Sequence, residues 1–165
     1  MVKKYSKDIV IGILRISLGF IFFWAFIDKL FGLGFATTSD KTWLLGVSPT
    51  SGFLKFGVHG PFAEFYQSLA SVPLVDWLFM LGLLFIGVSL VLGIFMKLGG
   101  FSGIIMLALM YTAIGLSPAN NPLIDEHIVY ILVIIVLLLT NSGQFLGLGR
   151  WWANTAFVQK FPIFK

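Results

Sequence analysis

The chain has 165 residues, of which 58% are hydrophobic, 16% are aromatic and only 11% are charged. Soluble domains carry about 25% charged residues, so this chain has too few charged residues to cover a water-facing surface. We predict a single-domain integral membrane protein over residues 1–165. The net charge of +4 is then a topology signal and does not indicate a nucleic-acid partner. Because the chain has no cysteine, disulfides, thiolate nucleophiles and iron–sulfur ligation are excluded.

The first apolar segment covers residues 9–27 and contains one charge, Arg15. Lysines precede it, as they precede a secretory signal, but Arg15 breaks the apolar region and no convincing cleavage site follows, so we interpret it as a mature helix. A central arginine costs about 2.5–3.5 kcal/mol to insert. Two placements are open: the guanidinium reaches the inner headgroups, or it faces the bundle and contacts Asn141 or Gln144.

Residues 28–76 form a long connection that Gly and Pro divide into short pieces. It is too aromatic for a solvated or disordered linker. We predict an aromatic-rich cap on the outer interface, with a short amphipathic helix over residues 61–70.

Three further apolar segments, at residues 77–96, 98–116 and 126–148, complete a predicted four-helix transmembrane bundle. The last one extends to 148 because its purely apolar part, residues 128–139, is too short to span a bilayer. Lys and Arg residues number seven on the side of the N-terminus and three on the other side, which places both termini in the cytoplasm of a cell-membrane protein. Small residues at Gly19, Ser89, Gly93, Gly99 and Gly103 predict close helix packing.

The outer helix ends are rich in polar and aromatic residues, and the sequence Asp125, Glu126, His127 at the start of the last segment stands out. One interpretation is helix-start chemistry, with Asn120 or Asn121 as the cap and acids that complement the helix dipole. That does not explain His127 followed three residues later by Tyr130 on the same face. A carboxylate, an imidazole and a phenol can exchange protons with a quinone headgroup, or they can form a structural hydrogen-bond network.

Metal binding is not expected. The two histidines, His59 and His127, lie far apart in the sequence, and the spacing HExxH is missing. Bis-histidine haem would need both imidazoles inside the bundle, and His59 falls in the predicted cap. We therefore expect neither a metal nor haem.

Six stretches, in this order, resemble a known family: "LRISLGFIFFWAFIDKLFG", "SPTSGFL", "GPFAEF", "VDWLFMLGLLFIGVSLVLGI", "NNPLIDEHIVYILV" and "LGLGRWW". They are similar to DoxX and DoxD membrane proteins, the latter being the small-subunit type of thiosulfate:quinone oxidoreductase. The resemblance covers about residues 15–152. It implies a four-helix membrane protein associated with quinone-linked sulfur oxidation, and the positions that match the family's polar pattern are Arg15, Asp28, Lys29, Asp76, Asp125, Glu126 and His127.

The resulting hypothesis is a membrane subunit of a quinone-linked oxidoreductase, with quinone as its cofactor and a site at the outer helix ends. Asp28, Glu126 and His127 would exchange protons as the catalytic groups. The remaining binding residues would be Arg15, Trp24, Lys29, Asp76, Trp77, Asp125 and Tyr130, with Lys29 drawing an anionic sulfur substrate or balancing the acids. A second oxidoreductase subunit and a homo-oligomer are the expected partners besides the bilayer. A non-catalytic scaffold of a redox complex is the first alternative, and a small-solute or lipid transporter is the second.

Overall fold

The computed structural model describes residues 2–116 and 121–164, and within these ranges every regular element is helical. The prediction of an all-α protein is therefore confirmed. Seven α-helices follow one another: α1 (Val2–Phe31), α2 (Ala63–Ser68), α3 (Pro73–Leu92), α4 (Met96–Ala113), α5 (Glu126–Leu139), α6 (Gly149–Ala153) and α7 (Ala156–Lys160).

Three of the helical segments are long and apolar enough to cross a membrane: Ser6–Phe31, Pro73–Leu92 and Met96–Ala113. At a rise of 1.5 Å per residue, α3 is about 30 Å long, which matches the hydrocarbon core of a bilayer. The predicted segments 77–96 and 98–116 were placed two to four residues too late. Helix α3 ends before Gly93, which has a left-handed conformation, and α4 begins at Met96.

The fourth predicted span, residues 126–148, is wrong in its second half, because α5 ends at Leu139. Its 14 residues reach about 21 Å. The Thr140 hydroxyl bonds back to the Val136 carbonyl at 2.8 Å, and Asn141 takes a left-handed conformation with φ of 51°. The chain then folds back at residues 142–149 instead of continuing the helix.

Helices α1 and α3 pack antiparallel through two glycines that sit against the opposite backbone. A β-carbon on Gly19 would lie 2.7 Å from Leu90 and 2.8 Å from the Val91 nitrogen, and one on Gly87 would lie 2.6 Å from the Phe23 nitrogen. Such close approach gives dense packing where lipid supplies no hydrophobic driving force. The predicted packing role of Gly19 is confirmed.

Helix α4 continues the bundle in the same way. Gly99 lies directly against the side chain of Ser89 on α3, and a β-carbon on Gly100 would lie 2.9 Å from Leu138 on α5. The four helices thus alternate in direction in the order α1, α3, α4, α5. They share one core, formed by Ile11, Leu18, Phe22, Met80, Leu83, Ile86, Leu90, Met96, Leu107, Ile134 and Leu137.

The alternation gives the bundle two ends. We call one the Arg15 end; it contains the α3–α4 turn and residues 140–164. The other is the Asp28 end; it contains the α1–α3 connection, residues 32–72, and the start of α5. In that connection α2 lies within the predicted residues 61–70, and its buried Tyr66 hydroxyl bonds to the Leu109 carbonyl at 3.0 Å and to the Thr112 hydroxyl at 2.5 Å. The connection is thereby fixed to the last turn of α4.

Candidate functional site

Asp125 and His127 form a buried pair at the start of α5. The Asp125 Oδ2 lies 2.6 Å from the His127 Nδ1, and only 5% and 11% of the two side chains are exposed. The other oxygen of Asp125 accepts the Ile128 backbone N–H at 3.2 Å and so caps the helix. A carboxylate at Nδ1 orients the imidazole and favours the tautomer in which Nε2 accepts a proton.

The electrostatics of the pair keep Asp125 ionised. Burial raises the pKa of Asp125, but the hydrogen bonds from His127 and from the Ile128 amide outweigh it, so the pKa lies below its ordinary value of 3.8. At neutral pH Asp125 is therefore a carboxylate, placed against the Nδ1 of His127. That arrangement can take up a proton at His127 and stabilise the imidazolium that results.

The sequence prediction that Asn120 or Asn121 caps α5 is wrong for Asn121, and Asn120 lies outside the described residues. The Asn121 side chain accepts the Leu123 and Ile124 amides at 3.0 and 2.6 Å and closes a turn ahead of the helix. Asp125 is the cap, because it alone stands at the residue before the first helical position. Asp125 thus caps the helix with one oxygen and contacts His127 with the other. Helix-start chemistry and a hydrogen-bonded polar group are therefore both present at this residue.

The neighbours of the pair differ in placement. Glu126 is exposed, whereas Tyr130 is partly buried against the core. Since His127 and Tyr130 are three residues apart on α5, they share a face. Glu126 is four residues before Tyr130 and therefore also neighbours it on the helix surface, but its own side chain is exposed.

Asp28 holds the beginning of the α1–α3 connection. Its side chain is only 1% exposed, and its two oxygens accept the Phe35 and Ala36 amides at 3.2 and 2.9 Å. The Phe35 ring then meets Trp24 edge-on at 5.1 Å. Trp24 and Asp28 thus both contact the chain that follows α1, and Lys29 beside Asp28 is partly buried.

Asp76 holds a later part of the same connection. It is 7% exposed and accepts hydrogen bonds from the hydroxyls of Ser48 at 2.8 Å and Thr50 at 2.5 Å. The adjacent Trp77 packs edge-on against Trp43 at 4.6 Å. Sequence reasoning missed these partners, because Ser48 and Thr50 precede Asp76 by 28 and 26 residues and no local pattern links them to it.

The predicted residues of the Asp28 end therefore belong to three local networks, centred on Asp28, Asp76 and Asp125. Among the residues that the structure describes, no hydrogen bond or ion pair joins one network to another. All three carboxylates are buried in the protein, and two of them serve to fix the connection. The pair at Asp125 is the one that leaves a titratable partner, His127, at its edge.

Arg15 lies at the opposite end and is completely buried. Its Nη2 donates to the Phe145 and Leu146 carbonyls, both at 3.0 Å. The placement in the bundle is confirmed, and the headgroup placement is wrong. The predicted partners Asn141 and Gln144 are also wrong, because the chain turns at Asn141 and presents backbone carbonyls to the guanidinium.

The remaining nitrogens of Arg15, Nε and Nη1, have no hydrogen-bond partner within the described part of the chain. The guanidinium lies beside the last turn of α3, where Leu92 accepts the Leu148 amide at 2.8 Å. The carbonyls at the end of a helix carry partial negative charge, and this offsets part of the cost of the buried cation. Arg15 therefore joins α1, the end of α3 and the segment after α5.

Within the described residues, Asp125, Glu126 and His127 form a group whose ligand atoms all lie within 4.8 Å of one another. The geometry alone could hold a cation. The 2.6 Å contact of Oδ2 with Nδ1 already uses one ligand atom of Asp125 and one of His127 on each other. The trio therefore suits proton exchange better than metal binding.

Comparison of the chain with protein-family models, with curated proteins and with solved structures gives no match.

Proposed function

We propose that this chain is the membrane subunit of a quinone-linked oxidoreductase of the DoxX/DoxD type, in which His127 exchanges protons with a quinone at the Asp28 end. The observation that carries the proposal is the 2.6 Å contact between the Asp125 Oδ2 and the His127 Nδ1. A carboxylate at one ring nitrogen fixes the orientation and the tautomer of an imidazole and leaves the other nitrogen to exchange protons, as a proton-transferring group requires.

Conversion of a quinone to a quinol takes two electrons and two protons. A sulfur compound such as thiosulfate, held by the complex, would supply the electrons, and His127 would pass protons to the quinone oxygens. Tyr130, on the same face of α5, would bound the quinone ring with Trp24 and Trp77. Asp28 and Asp76 act as positioning residues in this proposal, because their carboxylates hold the connection that would cover the site.

The proposal includes a topology. Helix α5 crosses with the aid of the segment that follows it, so four helices span the membrane and both termini lie in the cytoplasm. The charge count supports this, since the predicted topology puts seven Lys and Arg residues on the side of the N-terminus and three on the other side, with Arg15 inside the first helix counted for neither. The α1–α3 connection would then be an outer cap at the interface of the cell membrane.

A second function is favoured by a different observation. The buried carboxylates of Asp28 and Asp76 accept hydrogen bonds from their own connection, as expected for a packed anchor. In that case the chain is a non-catalytic scaffold, with a second oxidoreductase subunit or a further copy of itself as its partner. Quinone binding separates the two functions.

Tryptophan fluorescence offers a test with spatial resolution, because Trp24, Trp43 and Trp77 lie at the Asp28 end whereas Trp151 and Trp152 lie at the other. The double variant Trp151→Phe, Trp152→Phe retains fluorescence from the Asp28 end alone. We expect a short-chain benzoquinone to quench it with saturation. His127→Gln should raise the half-saturation concentration about tenfold, as the loss of one charge-assisted hydrogen bond predicts.

The matched control is His59→Gln, which removes the other, exposed histidine and should leave the quenching curve unchanged. Linear quenching without saturation, or equal curves for His127→Gln and the parent, would remove the quinone role and leave the scaffold. Pull-down of a redox subunit by the His127→Gln variant as efficiently as by the parent would then support that second function.

A further inference from the structure

A groove of about 300 Å³ opens at the Arg15 end between α4, α5 and α6. Its polar lining side chains, which we call the rim, are those of Lys97, Asn141 and Gln144. Its wall is apolar and includes Met96, Phe101, Leu137, Leu138, Leu139 and Trp152. None of the described residues that line the groove is acidic.

The charge at the rim is positive and available. Lys97 is exposed, and its ammonium donates to the Pro162 carbonyl at 3.2 Å, which leaves two of its three donors for another acceptor. It lies in the first turn of α4, whose preceding residue, Phe95, makes no side-chain cap. The positive end of the helix dipole therefore adds to the charge of Lys97.

The chain around the groove is also positively charged. The chain from residue 127 to residue 165 contains no acidic residue, and Arg150 and Lys160 in it are exposed. Asp8 and Arg150 line a second cavity that shares Gln144 with the groove, so the acid of this end lies in a cavity that also holds a cation, and Lys97 is the charge that the groove itself presents to an anion.

The wall matches a hydrocarbon chain. Leu139 is 77% exposed and Phe101 is 63% exposed, yet both belong to apolar helices. They lie at the level where α4 begins and α5 ends, and Trp152 beside them donates its indole N–H to the Phe164 carbonyl at 2.7 Å. Tryptophan with one apolar and one polar side is typical of the headgroup level of a bilayer.

We infer that this groove binds one anionic phospholipid, with its phosphate on Lys97 and an acyl chain along Leu139 and Phe101. The charge of the rim selects an anionic over a zwitterionic headgroup. The site is separate from the His127 pair, which lies at the other end of the bundle, so it exists whether or not the chain takes part in redox chemistry.

The test uses the purified full chain in detergent, titrated with phosphatidylglycerol that carries brominated acyl chains. Bromine quenches nearby indoles, and the difference between the parent and Trp152→Phe isolates the signal of Trp152. We expect saturable quenching, at about fivefold lower concentration than with brominated phosphatidylcholine, and loss of that preference in Lys97→Gln. The control Lys41→Gln makes the same charge change at an exposed site of the Asp28 end and should retain the preference.

A second variant, Phe101→Ala, removes part of the wall and should weaken binding of both lipids while the preference persists. Equal quenching by the two lipids in the parent, or an unchanged preference in Lys97→Gln, would overturn the inference. So would displacement of the brominated lipid by an equimolar neutral short-chain quinone, because the groove would then be selective for an uncharged ring.

Discussion

Gly93 lies so close to Arg15 that a β-carbon on the glycine would overlap the Nη1 atom of the guanidinium. The same glycine ends α3 with φ of 75°, a conformation that glycine adopts without strain. The two requirements coincide at one position, and this lets a buried cation sit against the carbonyl end of a helix. The helix end and the charge are therefore a single structural unit.

Gly93→Ala should be more destabilising than an alanine at another left-handed glycine. Both substitutions incur the conformational cost of roughly 1–2 kcal/mol, but only Gly93→Ala also forces Arg15 to move, which adds about 1–3 kcal/mol of overpacking. The control is Gly46→Ala, where φ is 81° and a β-carbon meets open space. Thermal unfolding in one detergent measures both, and equal losses would contradict the packing of Gly93 on Arg15.

Arg15→Lys tests the bond between Arg15 and the carbonyls of residues 145 and 146. A lysine ammonium cannot reproduce the two donors of Nη2, so we expect a buried carbonyl to remain unpaired at a cost of about 1–3 kcal/mol. Hydrogen exchange of the amides at residues 147–149 should also accelerate, since the segment loses its attachment to α1.

The control for that variant is Arg150→Lys, which makes the same chemical change at an exposed position near the same end. It should leave both the unfolding temperature and the exchange rates unchanged. If the two variants behave alike, the carbonyl contacts of Arg15 do not stabilise the fold.

The sequence left the burial of Arg15 as one of two open placements, and the partners that it suggested for the buried placement were wrong. An arginine in an apolar helix must either reach water or find hydrogen-bond partners inside the protein. Asn141 and Gln144 were expected at about the same depth in the membrane as Arg15, which made them the candidate partners. The true acceptors are backbone carbonyls, which every residue has, so the sequence does not show which of them meet the guanidinium. The same turn at Asn141 explains the error in the end of α5, because periodicity does not show where a helix gives way to a left-handed residue.

The Asp28 end shows a similar division. The sequence identified Asp28, Asp76 and Asp125 as unusual carboxylates at helix ends, and the structure buries all three. Asp28 is bonded to the amides of residues 35 and 36, Asp76 to the hydroxyls of residues 48 and 50, and Asp125 to the ring of residue 127. The partners of Asp28 and Asp76 belong to the long α1–α3 connection, and local sequence patterns do not specify how that connection folds against the helix ends. The partner of Asp125 is local, but the sequence prediction gave the catalytic role beside His127 to Glu126 and not to Asp125.

Thr50→Val tests whether Asp76 stabilises the connection. The substitution keeps the shape of the side chain and removes the 2.5 Å hydrogen bond to the carboxylate, which should cost about 1.5–3 kcal/mol because the acceptor is charged and buried. Limited proteolysis within residues 32–72 should accelerate as well. Thr37→Val is the matched control, since it makes the same change in the connection away from Asp76, and similar cleavage of the two variants would refute the role of this bond.

Asp125→Asn should change how stability depends on pH. The pKa of Asp125 in the folded protein lies below its ordinary value of 3.8, so the unfolded chain binds the proton at higher pH. The stabilisation by the ionised side chain is therefore complete above about pH 3.8 and disappears as pH falls through the lowered pKa. Asparagine still caps α5 but lacks the charge that holds His127, so we expect a loss of about 1 kcal/mol at neutral pH.

The measurement is the unfolding temperature of the parent and of Asp125→Asn from neutral pH down to about pH 3, and the two values should converge at the acid end. The control Glu64→Gln, at an exposed carboxylate, should follow the parent at every pH. A constant gap between the parent and Asp125→Asn at every pH would mean that the ionisation of Asp125 does not stabilise the helix start.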